Sequence, residues 1–214
     1  MSASIRRIGV LAAVFLVALH SAAVGQSAVD EELPRTFAQG LATGVGGAFF
    51  EYYNFAAIVG IGILAGIAAR GIIPLLAFSA ASVIGVAIQI SPFDLPFDEI
   101  IVALTTIAIG ALVVRRQSIH PQVASIFFSI AGLFHGYSLS ESIVGAATAP
   151  LLAYVGGMLL VQIGVGTVAC VIAIKISGRT THGQPSHVKG LTIAGILVTI
   201  AGAIAAIQAM GLLG

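Results

Sequence analysis

Long apolar runs, separated by single charges, prolines or short polar turns, occupy most of this 214-residue chain. Only 8% of the residues are charged and the mean hydropathy is +1.11, far from the values of water-soluble domains. A helix needs about 20 apolar residues to cross the hydrocarbon core of a bilayer. The runs therefore predict an all-α integral membrane bundle of about six transmembrane helices. The predicted spans are residues 38–69, 71–90, 97–114, 121–137, 150–176 and 188–213.

The N-terminus has the three parts of a secretory signal segment. Arg6 and Arg7 precede an apolar stretch at residues 8–19, and the small residues of 21–25 come shortly after it. This order is typical of a cleavable signal peptide, although an uncleaved first helix is an alternative. The predicted division of the chain is a signal peptide at residues 1–25, a short periplasmic or extracellular segment at 26–37, and one six-helix membrane domain at 38–214.

The first apolar run, residues 38–69, is too long for one straight span. Glycine weakens a helix, so Gly44, Gly46 and Gly47 are the expected place for a break. The half of the run before the break would then be interfacial or re-entrant.

Charge placement predicts the orientation, because Lys and Arg near span ends are retained on the cytoplasmic side. Six basic residues near the span ends fall on one side of the six-span order: Arg70, Arg115, Arg116, Lys175, Arg179 and Lys189. The acidic residues Asp30, Glu31, Glu32, Glu51, Asp94, Asp98, Glu99 and Glu141 fall at or towards the other side. We therefore expect a multi-pass protein of the cell inner membrane, with both mature termini outside the cytoplasm.

Several function classes lack their sequence signatures. The net charge of +1 gives no clustered basic face for nucleic acid. The single cysteine, Cys170, stands within an apolar run and is expected to be a core residue, so the chain has no cysteine-based metal site. No Walker-type loop, Ser/His pair or His-Glu-x-x-His motif is present, which argues against an ATPase or another enzyme. No tightly bound cofactor is expected.

Ionisable or strongly polar side chains within membrane spans are costly and are therefore candidates for function. Glu51 precedes Arg70 by 19 residues, or roughly 28 Å of helix, which places it near the outer mouth, with Asn54 one turn deeper. His135 follows Pro121 by 14 residues, roughly 21 Å, and falls in the outer third of its span. Two more candidates flank the same level: Glu99 at the start of the third span and Glu141 after the fourth.

The coinciding depths predict that His135, Glu99, Glu141, Glu51 and Asn54 share one polar cavity open to the outside. Imidazole and carboxylate ligands suit nickel, cobalt or zinc, and the same groups could relay protons. Convergence of His135 with Glu141 requires the fourth helix to end around Gly136, because six residues separate them. A structural alternative is that the two glutamates end helices at the wet interface while His135 bonds within the bundle.

An acidic turn carries Asp94, Asp98 and Glu99 just outside the third span. Three carboxylates at an outer mouth could attract cations before entry. The same residues could equally stabilise the start of a helix through its dipole.

The segment Leu133-Phe134-His135-Gly136-Tyr137 and the residues after it up to Ala146 resemble a motif of the HupE/UreJ family. Further similarities are Pro150, Ala153-Tyr154, Gly157 and the helix at 96–110, so the resemblance covers about residues 40–176. The family comprises small membrane proteins that accompany hydrogenase and urease systems and are regarded as nickel or cobalt permeases. The resemblance implies a membrane bundle and a role for His135, Glu99 and Glu141.

The first helix departs from the family pattern. Gly47-Ala48 and Tyr53-Asn54 stand where the family has His-Pro and Asp-His, and Leu139 replaces a later histidine. Fewer nitrogen ligands imply weaker nickel binding. Two functions remain open: a permease or facilitator for a divalent transition metal, nickel or cobalt first, and a non-transporting accessory or scaffolding subunit of a membrane complex. Expected partners are the lipid bilayer, the metal ion, and a second copy or a complex subunit.

Overall fold

A computed structural model describes residues 33–67, 72–116, 120–177 and 189–212 of the chain. These residues form seven α-helices and one short 3-10 helix, with no strand among them, so the predicted all-α class is confirmed. The helices are α1 Phe37–Phe50, α2 Tyr52–Ile67, α3 Ile73–Gln89, α4 Asp98–Arg115, α5 Pro121–Leu139, α6 Thr148–Ser177 and α7 Lys189–Ala209, with the 3-10 helix Glu141–Ile143 after α5. The predicted signal peptide, residues 1–25, lies outside the described residues.

The first apolar run is broken, but not at its glycines. Thr36 and Gln39 form a capping box that starts α1, and the helix continues through all three glycines to Phe50. Glu51 then takes an extended conformation, and α2 leaves at an angle of 73° to α1. The predicted break at Gly44–Gly47 is therefore wrong in position, because Gly44 and Gly47 pack against Tyr154 and Leu139 within a continuous helix and the chain turns at Glu51 instead.

Three helices, α5, α6 and α7, are long and apolar enough to cross a membrane, and the bent α1–α2 pair supplies a fourth candidate. Helix α3 is apolar but has only 17 residues, and α4 starts with Asp98 and Glu99 and ends with Arg115. Three or four of the predicted spans are thus supported by length and hydropathy. Six crossings remain a prediction.

The helices associate mainly in three groups: α3 with α5, α4 with α7, and the α1–α2 pair with α6. Glycine contacts give the relative directions. Gly132 and Gly136 of α5 meet Phe78 and Ser82 of α3, so this pair is parallel. By the same reasoning α6 runs parallel to α1 and α2, while α4 and α7 are antiparallel. Successive helices would have these relative directions if each crossed the membrane in the opposite direction to the one before it, with α1 and α2 counted as one span.

Close backbone approach explains the many glycines of the interfaces. A Cβ atom on Gly44 would lie 2.1 Å from the carbonyl oxygen of Tyr154, which no side chain can tolerate. Small residues of this kind let helices pack tightly where lipid provides little hydrophobic driving force. Gly156 and Gly164 differ, because they face outward with nothing within 4 Å of a Cβ.

Apolar side chains cover both the interior and the outside of the described bundle. Leu152, Leu160 and Val168 of α6 are each more than half exposed, which fits a surface that contacts lipid. Cys170 of the same helix is buried, as expected for a core residue. The interior therefore has few polar groups, and their positions identify the candidate site.

Candidate functional site

Nearly all buried polar side chains of the described residues fall into two neighbouring groups. The buried polar residues are Asn54, Ser79, Ser82, Thr105, Thr106, His135, Ser140 and Gln162. The first group, the His135 cluster, comprises His135, Asn54, Thr105 and Thr106. The second, the Gln162 group, comprises Gln162, Ser82 and Ser79.

Three helices build the His135 cluster. The chain break at Glu51 starts α2 so that Asn54 lies in its first turn, fully buried. His135 projects from the last turns of α5, and its Nδ1 atom lies 3.0 Å from Oδ1 of Asn54. On the other side of the ring, Nε2 lies 3.3 Å from the Thr105 hydroxyl and 3.5 Å from the Thr106 hydroxyl, both on α4. The imidazole is 1% exposed, so it has almost no contact with solvent.

The partners of Asn54 determine the tautomer of His135. The amide nitrogen of Asn54 points to the carbonyl oxygen of Ala48, 3.3 Å away, so the amide oxygen faces the imidazole. An amide oxygen only accepts hydrogen bonds, and Nδ1 must therefore carry the proton. In a neutral imidazole, Nε2 is then the nitrogen with the free lone pair.

The threonine hydroxyls leave that lone pair available. Thr105 donates its proton to the carbonyl oxygens of Ile101 and Val102, both 2.9 Å away. Thr106 donates to the carbonyl oxygen of Val102 at 2.8 Å. Nε2 therefore faces two hydroxyl oxygens whose protons are already used. One nitrogen and two oxygens on neighbouring helices can coordinate a transition-metal ion, with water completing the shell.

A further set of polar groups lies around the chain break, where Glu51 and Tyr53 closely precede Asn54 in sequence. Glu51 is half-buried, and the phenol of Tyr53 lies close enough to interact with its carboxylate and with the Ser138 hydroxyl. The Tyr154 hydroxyl donates a hydrogen bond of 2.6 Å to the carbonyl oxygen of Leu139. These groups surround the turn at Glu51 with polar atoms.

The acidic turn is fastened to the end of α5. The Tyr137 hydroxyl donates to Oδ1 of Asp94 at 2.9 Å and accepts from the backbone nitrogen of Leu95 at 3.2 Å. Asp98 and Glu99 lie in the first turn of α4, where negative charge favours the helix dipole. The turn is thus held in place by Tyr137, which lies two residues after His135 on α5.

The structure brings together two of the five predicted ligands, His135 and Asn54. Glu99 and Glu141 are exposed and Glu51 is half-buried. No three His, Cys, Asp or Glu side chains lie close enough to share a metal ion within the described ranges. Helix α5 runs through to Leu139 rather than ending around Gly136, so Glu141 does not turn back to the imidazole. The metal-binding role of the five residues remains a prediction.

Sequence reasoning missed Thr105 and Thr106, although a signal was present. They interrupt an otherwise apolar run of α4 and begin six residues after Glu99. Hydroxyl groups are a weaker signal of function than ionisable groups within a membrane span. Ser and Thr can form their hydrogen bonds with carbonyl oxygens in the preceding turn of their own helix. Their second contact, to the imidazole of another helix, is visible only in the assembled bundle.

A family model described as HupE / UreJ protein matches residues 11–205 of the chain. The match extends beyond the 40–176 resemblance at both ends and begins inside the predicted signal segment. No curated protein and no solved structure matches the chain.

Proposed function

Since this chain belongs to the HupE / UreJ family of membrane proteins, we propose that it is a permease or facilitator that passes a divalent transition-metal ion, nickel or cobalt, through the cytoplasmic membrane. The observation that carries the proposal is the buried imidazole of His135. Its proton is fixed on Nδ1 by Asn54, so Nε2 is presented to the interior as a ligand.

The donor set suits transport better than storage. His135 supplies one nitrogen, and Thr105 and Thr106 supply neutral oxygens at 3.3 Å and 3.5 Å from it. Such a set binds nickel or cobalt through the imidazole and leaves the rest of the shell to water. A weakly held ion can leave again, which a conduction path requires.

Negative charge would guide the ion to this cluster from the outer side. Asp94, Asp98 and Glu99 stand at one end of α4, and Glu51 stands at the chain break three residues from Asn54. Carboxylates around an entrance raise the local cation concentration. In this proposal Glu51, Glu99 and Glu141 attract the ion, Nε2 of His135 binds it beside the Thr105 and Thr106 oxygens, and Asn54 orients the imidazole.

The test is uptake of radioactive nickel and cobalt by cells that express the protein. We expect saturable uptake above that of cells with an empty vector, at equal protein levels in the membrane fraction. Uptake at the empty-vector level for both metals would refute the permease.

Replacing Asn54 with leucine is expected to raise the half-saturating nickel concentration about 10- to 100-fold, the usual effect of losing a group that orients a metal-binding histidine. Leucine removes the acceptor that holds the proton on Nδ1 but keeps the volume. Asn54→Asp is the matched control, because a carboxylate oxygen also accepts from Nδ1. Concentration curves for both variants check the prediction, and equal affinity in Asn54→Leu and wild type would contradict it.

The second candidate function is a non-transporting accessory subunit. It is favoured by the lack, among the described residues, of three conventional metal ligands in one place. Replacing His135 and Glu99 together separates the two functions. Metal accumulation is lost if the protein is a permease, whereas recovery of a partner complex from membranes is unchanged if it is a scaffold.

A further inference from the structure

Gln162 is fully buried at the fifteenth position of the 30-residue helix α6, where an amide is costly. Its Nε2 atom donates to the Ser82 hydroxyl of α3 at 3.2 Å. Ser82 in turn donates to the carbonyl oxygen of Phe78 at 3.0 Å. The amide nitrogen is therefore anchored, and the orientation of the side chain is fixed.

Two oxygen atoms of this group have no partner among the described residues: Oε1 of Gln162 and Oγ of Ser79. Ser79 lies one helical turn before Ser82 on α3 and is 2% exposed. A buried polar atom without a hydrogen bond is strongly unfavourable, and most of all where no bulk water is near. These oxygens are therefore suited to bind a ligand with positive charge or with protons to donate.

The Gln162 group adjoins the His135 cluster. The Phe78 ring packs edge to face against the imidazole with 5.4 Å between ring centroids, and the backbone carbonyl of the same residue accepts the Ser82 hydroxyl. On α5, Gly136 directly follows His135, and a Cβ on it would lie 2.1 Å from the Ser82 carbonyl oxygen. One aromatic ring and one tight helix contact thus separate the two groups.

We propose that Gln162, Ser79 and Ser82 form a second cation site, which a nickel or cobalt ion with part of its water shell occupies after leaving His135. The inference rests on the permease function and extends it. The three side chains are neutral and offer only oxygens to the ligand. Such oxygens bind the water shell of a cation and hold it weakly, which allows the ion to move on.

The first test is nickel uptake by Gln162→Leu, which replaces the amide with an apolar side chain of similar size. We expect the maximal uptake rate to fall about tenfold, roughly the effect of losing one hydrogen bond to a charged group. The half-saturating concentration should stay the same, because His135 sets it. Thr199→Val is the control, since Thr199 bonds only within α7. Unchanged uptake by Gln162→Leu would overturn the inference while leaving the permease intact.

A second test does not depend on transport. Ser79→Cys is made in a Cys170→Ala background, and the purified protein is treated with a small cationic thiol reagent with and without nickel. We expect the new thiol to react, nickel to slow the reaction several-fold, and Gln162→Leu to remove that protection. An unreactive thiol would show that neither water nor ions reach residue 79. A reaction that nickel does not slow would show that water reaches this residue but that nickel does not bind there. Either result overturns the second site, whether or not wild-type cells take up nickel.

Discussion

The His135→Ala variant is expected to take up nickel and cobalt no faster than cells without the protein. The imidazole is the only nitrogen ligand in its cluster, and the two threonine hydroxyls cannot replace it for a borderline metal ion. The loss of uptake should exceed that of Asn54→Leu, because His135→Ala removes the metal ligand itself, whereas Asn54→Leu removes only the group that orients it. Initial rates of radioactive metal uptake at several concentrations provide the measurement.

Two controls make the uptake result specific. His120→Ala removes an exposed imidazole that precedes α5 and lies outside the cluster, so uptake should match wild type. Size-exclusion profiles of the purified His135→Ala protein should show the same folded population as wild type. Substantial uptake by a folded His135→Ala protein would mean that the ion does not pass this imidazole.

The Gly132→Val variant is expected to be largely unfolded or absent from the membrane. A Cβ on Gly132 would lie 2.1 Å from the carbonyl oxygen of Phe78, a backbone atom that cannot move without shifting the whole of α3. Overpacking of a close contact costs about 1–3 kcal/mol or more even where side chains can adjust. Here they cannot, so we expect the free energy of unfolding to fall by at least about 3 kcal/mol.

Gly164→Val is the matched control, because nothing lies within 4 Å of a Cβ at that outward-facing position of α6. Thermal unfolding and the yield of monodisperse protein should distinguish the two variants clearly. Equal stability of Gly132→Val and Gly164→Val would contradict the close α3–α5 contact on which the position of His135 depends.

Part of this site follows from sequence alone. Counting helical rise from Arg70 and Pro121 assigns Asn54 and His135 to the same outer part of the bundle, and the structure brings them within hydrogen-bonding distance. The depth of a residue in the membrane, however, does not determine which way its side chain points. Rotation of each helix about its axis decides which side chains face inward, and it leaves Glu99 exposed at a similar level. Packing of other residues sets that rotation, so the sequence pattern could not supply it.

The positions at which helices break or end follow less directly from the sequence. Low helix propensity predicts a break of the first run at Gly44–Gly47, because glycine destabilises isolated helices. The convergence of His135 with Glu141 requires the fourth helix to end around Gly136. In the bundle, Gly44 and Gly136 allow close contact with Tyr154 and Ser82, and tertiary packing outweighs their low helix propensity. The sequence pattern thus predicts the all-α class and the apolar runs, but not the break at Glu51.

The central claim is that Nε2 of His135 ligates the transported metal. X-ray absorption spectroscopy of the purified protein with nickel alone tests it most directly, because a bound imidazole gives a characteristic outer-shell scattering pattern. We predict scattering from one imidazole in wild type and its loss in His135→Ala, with oxygen ligands remaining. Identical spectra from the two proteins, or a wild-type spectrum of oxygen ligands only, would contradict the account.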